Sequence, residues 1–317
     1  MTTAQPATAL FLLLLVGAPA LAQDEIQTGQ VIATGGAAAA HGNNNGGLSV
    51  NPATVGLTRR YAMDIAGGFW DGRDWRVGVV AVDNLTTKGF AMGVGYQHWR
   101  ASHELSSEEL PGWITTGDDL PSKRSFHNIT LAMAIPVVED RFSIGVSGSL
   151  MLIDHAILGS KTSGDLEAGI AGRPTEKWAL GLAVRNILPR YFVTDQSIGI
   201  VGGTRYAWND ITSVMLDVDV PLTAVDGVPL SVRGGAEFGQ DLRQLGIGYR
   251  FEGPTEEHWI TAGAGMYSDT APDSPGGNLA GLHYALEVPV HGLGNTKNQL
   301  LGIRHTLTLT IMPKKAE

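Results

Sequence analysis

From Tyr61 onward, large apolar residues recur at every second position of the chain. In Phe142–Leu152 and Trp178–Val184 they alternate with Gly, Ala and Ser. A period of two gives a β-strand one apolar face and one small or polar face, and no segment has a sustained helical period. The pattern predicts about fourteen strands. They are expected to begin near Tyr61, Asp74, Gly89, Phe126, Phe142, Gly164, Lys177, Ser197, Thr212, Pro229, Gln244, Glu257, Asn278 and Asn298.

The number and length of these strands favour a membrane barrel. Most runs are close to the ~9–11 residues that a tilted membrane strand needs, and bacterial outer-membrane barrels have an even number of strands. A secreted β-sandwich alternates in the same way and is the alternative. Its outer face would carry more Lys, Glu and Thr than this chain, whose non-apolar face is rich in Gly, Ala and Ser. We therefore predict an all-β, transmembrane antiparallel β-barrel of about 14 strands.

Turns and tryptophans agree with the barrel prediction. With both chain termini in the periplasm, every second connection is a short turn, and Asn84–Lys88 and Glu139–Arg141 fit that rule. The longest connection, Ala101–Arg124, falls on the opposite side. Tryptophans near strand ends indicate an interfacial girdle, which is expected to contain Trp70, Trp75, Trp99, Trp178, Trp208 and Trp259.

The chain before the first strand divides into a leader and a soft segment. Residues 1–22 are predicted to be a secretory signal peptide, because the apolar run is dense only over Leu10–Val16 and ends in the small-x-small site Ala20-Leu21-Ala22. A buried N-terminal helix is the alternative. The other predicted boundaries are a hatch segment over 23–60, a barrel over 61–312 and a C-terminal tail over 313–317.

The hatch segment is rich in Gly, Ala and Asn and cannot build a core of its own. Its central part, Gly35–Leu57, reads GGAAAAHGNNNGGLSVNPATVGL. Unpaired backbone is tolerated in a wet lumen but not in lipid, so we expect an N-terminal luminal plug. Within it, Asn51 can bond backbone in a turn, Pro52 fixes the exit angle, and Ala53 permits close approach to the wall.

Composition removes several classes of function. The chain has no cysteine, which excludes thiolate catalysis and Cys-ligated metals. Its formal net charge of −9 argues against a nucleic-acid partner. Glycine accounts for 42 of 317 residues, which is roughly double the usual ~7%. After the leader, no apolar run approaches the ~18 residues of a transmembrane helix.

No catalytic residue, metal ligand or cofactor is predicted. None of the histidines stands in a His-x-x-x-His or His-Glu-x-x-His spacing. A Ser–His pair with an orienting group on the barrel exterior would indicate a lipase, and nothing in the sequence marks one. Asp217, Asp219 and Asp226 suggest calcium, but the alternating oxygen ligands around a central Gly are absent. Carboxylates that face the lumen are the preferred interpretation.

Charged residues on the non-apolar face are expected to point into the barrel. The residues in this set are Asp64, Lys177, Arg185, Arg233, Glu237, Arg250, His283, Glu287 and Arg304. We predict a luminal polar network made of Asp64, Arg185, Asn186, Arg233, Glu237, Glu287 and Arg304. Two interpretations stay open, a structural salt-bridge network and a cluster that binds a substrate.

Four stretches resemble one family of membrane barrels. The plug with Asn51-Pro52-Ala53 resembles the FadL-type outer-membrane transporters of hydrophobic compounds, and more closely their PorV/PorQ-like relatives. That branch's strand ending in Asn is similar to WALGLAVRN, Trp178–Asn186. Its Arg-x-Gly-x-Glu-aromatic strand is similar to LSVRGGAEF, Leu230–Phe238. Its penultimate strand and following Gly-x-Thr turn are similar to LHYALEVPVHGLGNT, Leu282–Thr296, although His283 stands where an Asp is usual.

The resemblance implies a fourteen-stranded barrel with a luminal hatch in the bacterial outer membrane. One implied function is the uptake of hydrophobic small molecules past the hatch. The alternative is a non-transporting scaffold or secretion-accessory protein that binds periplasmic or secreted proteins. Neither function is enzymatic, and neither needs a cofactor. The expected partners are outer-membrane lipid and a hydrophobic small molecule or, for the alternative, other proteins, with no nucleic acid.

Overall fold

The computed structural model describes most of the chain from Thr28 onward. The described residues are 28–41, 45–70, 74–86, 89–101, 124–155, 159–188, 198–222, 230–240, 243–253, 257–269, 278–291 and 302–313. The predicted signal peptide, Asp226 and residues 314–317 of the predicted tail lie outside them. The signal peptide and the tail therefore stay predictions.

The described strands form one closed antiparallel barrel of fourteen strands. Each strand is hydrogen-bonded to the next one in the chain, and β1 pairs with β14 to close the sheet. The strands are β1 (Tyr61–Trp70), β2 (Asp74–Asp83), β3 (Ala91–Ala101), β4 (Arg124–Val138), β5 (Phe142–His155), β6 (Gly159–Gly172), β7 (Trp178–Arg185), β8 (Gly199–Ala207), β9 (Thr212–Pro221), β10 (Ser231–Gln240), β11 (Arg243–Glu252), β12 (Glu257–Asp269), β13 (Asn278–His291) and β14 (Arg304–Pro313).

This architecture confirms the predicted barrel and excludes the β-sandwich, which would need two separate sheets. The largest differences in position are at β6, which begins at Gly159 rather than Gly164, and at β14, which begins at Arg304 rather than Asn298. Residues 159–163 carry no apolar alternation, yet their backbone pairs with β5 from Gly159 onward. Backbone pairing, rather than the side-chain pattern, therefore sets where these strands begin.

The outward face of the wall is apolar, and the inward face is small or polar. Leu131, Val146 and Leu180 are 61%, 50% and 48% exposed, whereas Ala132, Ser147 and Ala179, which follow or precede them in the chain, are buried. A soluble protein has the opposite arrangement. Apolar side chains that point outward at every second position are what a lipid-facing barrel wall requires.

Aromatic belts surround the exterior at both ends of the barrel. We call the end where β1 begins and β14 ends the near end, and the opposite end the far end. At the near end Trp178 contacts Tyr206, which contacts Trp208. At the far end, three outward-facing tyrosines bond a histidine Nδ1 on the next strand. These pairs are Tyr96–His127 at 2.9 Å, Tyr249–His258 at 2.5 Å and Tyr284–His305 at 2.7 Å.

Two of the six tryptophans expected in the girdle do not belong to it, so the prediction was wrong for them. Trp99 packs inward against a cluster that contains Phe126, and Trp259 is 2% exposed. The side chain of Trp70 lies outside the described residues. The alternation of side chains along a strand could have predicted this. An outward apolar residue, such as Ile260 beside Trp259, has inward neighbours in the chain.

The described part of the predicted hatch packs against the inward face of the wall. We call residues 28–41 and 45–60 the luminal segment. It contains α1 (Gly29–Ala33), α2 (Gly47–Val50) and a 3₁₀ turn (Pro52–Gly56). No helix among the described residues is long and apolar enough to cross a membrane. Val31, Ala39 and Val50 form a buried cluster with Ala183 and Val201 of the wall.

Inward-facing glycines let the luminal segment approach the wall closely. A Cβ atom on Gly145 would lie 2.5 Å from the Ala53 nitrogen, and one on Gly235 would lie 2.8 Å from the Thr34 Cα. Both distances are shorter than real Cβ contacts. The high glycine content therefore has a structural cause beyond tight turns, because backbone of the segment occupies the space of the missing side chains.

We predict that Gly145→Ala destabilises the protein because the added methyl group collides with the backbone at Ala53. Overpacking of this kind costs about 1–3 kcal/mol. The free energy of unfolding in urea, measured in lipid vesicles, tests this. Gly67→Ala is the matched control, because Gly67 is also in a strand and a Cβ there would meet no atom within 4 Å. Equal unfolding free energies for the two variants would contradict the prediction.

Candidate functional site

Three buried carboxylates of the wall strands hold the luminal segment, and the first is Asp217. This β9 residue is 2% exposed. Its Oδ2 accepts hydrogen bonds from the backbone N–H groups of Ala38 and Ala39, at 2.7 and 2.8 Å. Hydrogen bonds to a charged acceptor are shorter and stronger than neutral ones. Asp217 therefore faces the lumen, as predicted, and it satisfies two backbone donors that no strand pairs.

The second carboxylate is Glu237 of β10. Its Oε2 lies 3.2 Å from the Nε2 of His41, and its Oε1 lies 3.3 Å from the Nε2 of Gln30. These two partners belong to different parts of the luminal segment. Glu237 therefore fastens α1 and the stretch around His41 to the same strand of the wall.

The third carboxylate is Asp64 of β1, which accepts a 2.9 Å hydrogen bond from the side chain of Asn45. Neutral groups of the wall add further contacts. Thr308 Oγ1 and Thr261 Oγ1 accept from the N–H groups of Gly29 and Gly35. Residues of β1, β9, β10, β12 and β14 therefore accept hydrogen bonds from the luminal segment.

Asn84, unlike the carboxylates, is a hydrogen-bond donor, and it donates to carbonyl groups at the end of the luminal segment. It follows β2, and its Nδ2 lies 3.4, 3.3 and 3.1 Å from the carbonyl oxygens of Val55, Gly56 and Thr58. One side chain thus covers the carbonyl groups at the exit of the 3₁₀ turn. This is the point where the chain leaves the lumen and enters β1.

Asn51 joins two parts of the segment to each other and to the wall. It is 0% exposed. Its Nδ2 donates to the carbonyl oxygens of Ala39, at 2.8 Å, and of Ile170 in β6, at 3.1 Å. Its Oδ1 accepts from the N–H of Ala53 at 3.1 Å. A buried amide needs partners on both of its atoms, and each atom has one here.

Pro52 and Ala53 continue the contact that Asn51 makes. Pro52 is the first residue of the 3₁₀ turn, where its missing N–H costs nothing. Ala53 is 0% exposed and packs with Leu57 and Ala171. The three residues predicted for the hatch therefore lie together against β5 and β6. Their part in any movement is a proposal, which is taken up below.

Burial controls the protonation of the cationic groups in the luminal segment. Burial lowers the pKa of His41 below its usual 6.5, and the neighbouring Glu237 opposes that shift while Arg205 and Arg60 add to it. Burial also lowers the pKa of Arg60 to about 10, against the attraction of Asp64. The lowered pKa of His41 favours its neutral form, and Arg60 keeps its charge at pH 7.

The predicted luminal polar network is divided into separate groups. Asp64 and Glu237 bond the luminal segment, as described above. Arg185 pairs with Asp219 at 3.1 Å and approaches Glu167 at 3.8 Å. Asn186 follows directly after β7 with a positive φ of 54°. The Arg233 Nε lies 3.5 Å from Glu252 Oε1.

A buried ion-pair cluster occupies the inward face toward the far end. Glu287 is 0% exposed, and its carboxylate lies 2.9 Å from Arg250 and 3.7 Å from Arg76. Glu252 lies 3.3 Å from the Nε of Arg250, which extends the cluster to Arg233. Arg304 lies over the ring of Trp259 at 4.1 Å, an arrangement in which the ring face attracts the cation.

Some inward-facing residues were missed or misplaced by sequence reasoning. Lys177 was expected to point inward, but it lies exposed in the turn before β7, because that strand begins one residue later. Arg76 is an inward residue that the prediction left out, although its place next to the outward Trp75 and Val77 gave the signal. Nothing local marks Asn84 or His41, whose partners are distant in the chain.

Chemistry other than binding has little support among the described residues. No group of three or more His, Cys, Asp or Glu there is arranged to hold a metal ion. A Ser–His pair does occur on the exterior, where Ser125 Oγ lies 3.5 Å from His127 Nε2. That distance is at the limit of a hydrogen bond. The Nδ1 of His127 faces Tyr96 and His98 rather than a carboxylate or amide. The absence of catalysis stays a prediction.

Comparison with known proteins identifies the fold. No family model matches the chain, and neither does any curated protein. A Pseudomonas aeruginosa FadL homologue is similar in structure, with a TM-score of 0.62 at 11% identity over 91% of this chain and 99% of that one. The Ralstonia pickettii toluene transporter TbuX has a TM-score of 0.60 at 12% identity, over 93% and 99%. The Pseudomonas putida toluene transporter TodX has 0.62 at 11%, over 92% and 98%.

The fold is that of the FadL-type barrels. The likeness covers nearly the whole length of both chains. At these identities it establishes the fold alone.

We predict that Asn51→Asp destabilises the protein by about 3 kcal/mol, because it replaces a buried donor with an acceptor that faces two carbonyl oxygens. Asn209→Asp is the control. The Oδ1 of Asn209 accepts from the N–H groups of Ile211 and Thr212 in an exposed turn, and a carboxylate can do the same. Urea unfolding of both variants should separate them, and a similar loss in each would be evidence against the role of Asn51.

We also predict a pH effect that depends on His41. Its pKa is lowered in the folded protein, so the unfolded chain binds a proton first as the pH falls below 6.5. The free energy of unfolding should therefore fall as the pH drops from about 7 toward 5. His41→Gln keeps a donor for Glu237 and does not titrate, so its pH profile should be flatter. Parallel profiles for the two proteins would refute this.

Proposed function

We propose that the protein takes up hydrophobic small molecules across the bacterial outer membrane and that the luminal segment is the hatch they pass. The observation that carries the proposal is the way the segment is held. Its described residues contribute no strand to the sheet. They are attached to the wall by side-chain hydrogen bonds and close backbone contacts, so the segment can shift while every wall strand keeps its neighbours.

Two further features support transport. The similar structures include toluene transporters, and a shared fold makes an apolar cargo the first candidate to test. The attachment also has a polar part, beside the buried apolar clusters. Asp217, Glu237 and Asp64 supply its buried carboxylate contacts, and water can replace each of them as a partner when the segment moves. Asn51, Pro52 and Ala53 then form the hinge about which the luminal segment moves.

A disulfide lock tests the proposal directly. The chain has no cysteine of its own. A Cβ on Gly246 would lie 2.7 Å from the Cβ of Ala33, about 1 Å short of the mean disulfide spacing of ~3.8 Å. We predict that the Ala33→Cys, Gly246→Cys double variant, when oxidised, lowers toluene uptake into liposomes to the level of protein-free liposomes. Reduction should restore uptake, because it frees the segment.

Each single cysteine variant is the control, since it carries the same local change without a cross-link. The oxidised single variants should transport like the reduced double variant. Equal uptake by the oxidised and reduced double variant would show that movement of this segment is not needed. If liposomes that contain the wild-type protein take up no more toluene than protein-free liposomes, the protein does not transport toluene.

One observation favours the alternative, a scaffold that binds periplasmic or secreted proteins. Each neighbouring strand pair in the described wall is hydrogen-bonded, and the far-end ion-pair cluster adds buried cross-strand contacts. The stretches that resemble PorV/PorQ-like proteins agree with this function. A scaffold would keep a stoichiometric protein partner in purified outer membranes, and the oxidised lock would leave that partner bound. Loss of the partner in the locked protein would tie binding to hatch movement instead.

A further inference from the structure

The exterior of the barrel has a cavity of about 530 Å³ at the near end, over β5, β6 and β7. It exists because Gly172 stands at an outward position between Phe142 and Leu180, its partners on the neighbouring strands. A Cβ on Gly172 would meet only ordinary contacts, the nearest at 3.4 Å. Val138, Ile170 and Leu182 also contribute to its apolar wall.

Two arginines stand at the edge of this cavity. Arg141 lies in the β4–β5 turn and is exposed, and Arg173 follows β6. The nearby acidic groups are largely engaged, because Glu139 pairs with Arg59 at 2.9 Å while Asp140 faces Arg173. Burial and the neighbouring Arg205 lower the pKa of Arg173. Arg173 also donates to Thr58 of the luminal segment, so its guanidinium lies on the inner side of the wall, and the exposed Arg141 is the cation that faces the exterior at this edge.

The depth of the cavity in the membrane indicates which anion could bind there. Leu180 lies two residues after Trp178, which belongs to the near-end aromatic belt. Aromatic belts mark the headgroup region of the bilayer. Arg141 is therefore placed beside lipid headgroups, while the apolar wall of the cavity continues toward the acyl chains. Guanidinium groups bind phosphate through paired hydrogen bonds.

We infer that this cavity is a binding site for an anionic phospholipid of the near-end leaflet, with Arg141 on the phosphate and an acyl chain over Gly172. The site adjoins the luminal segment through the thickness of the wall. Arg173 donates to Thr58 Oγ1 at 2.8 Å, and the Ile170 carbonyl accepts from Asn51. The inference does not depend on transport, since a scaffold would present the same site.

Lipid binding to the purified full-length protein in detergent, measured by native mass spectrometry, tests the inference. Phosphatidylglycerol should bind about tenfold more tightly than phosphatidylcholine of the same chain length, because Arg141 attracts its net negative charge. Gly172→Leu should abolish binding of phosphatidylglycerol, because the new side chain fills the cavity. Arg141→Gln should leave binding but remove the preference for the anionic lipid.

Gly67→Leu is the matched control, because it adds the same side chain at an outward glycine of β1 that has no neighbour within 4 Å. It should bind phosphatidylglycerol like the wild type. The inference fails if Gly172→Leu, folded as judged by circular dichroism, binds this lipid as the control does. It also fails if Arg141→Gln keeps the full preference, or if inorganic phosphate alone displaces the lipid, since the site would then recognise a free anion.

Discussion

The structure depends on one constraint, which is that backbone N–H and C=O groups cannot remain unpaired in lipid. Fourteen strands satisfy it by pairing each with the next and closing β1 on β14. Once the wall is closed, every second side chain must face lipid and the others must face the lumen. The apolar exterior, the aromatic belts and the small inward residues all follow from that geometry.

The same constraint decides how the luminal segment is attached. The backbone groups of the wall bond one another, so the wall offers the segment mainly side chains. Asp217 and Glu237 supply charged acceptors, and Asn84 supplies a donor. Where no side chain is used, inward glycines such as Gly145 allow direct backbone contact. The segment is consequently well satisfied in hydrogen bonds without becoming part of the sheet.

This form of attachment bears on both candidate functions. A segment that is held by side-chain hydrogen bonds and apolar contacts, without strand pairing, can shift while the wall stays closed, which suits a hatch. The closed wall and the far-end cluster around Glu287 suit a scaffold equally well. The two functions differ in whether the segment moves. The phospholipid site proposed over Gly172 lies on the opposite side of the wall from Asn51, so the proposed lipid and the luminal segment would both contact β6.

The sequence by itself determined the barrel, the approximate strand positions and the facing of most side chains, because a period of two is a local property. The predicted positions of Lys177, Trp99 and Trp259 were wrong, because the start of a strand or the inward and outward alternation along it was misjudged. Only the tertiary structure decided which wall residue meets which part of the luminal segment. His41 and Glu237 are 196 residues apart, and Ala38 and Asp217 are 179 apart. Such partners are set by barrel closure, which brings distant strands around one lumen and leaves no trace in the local pattern.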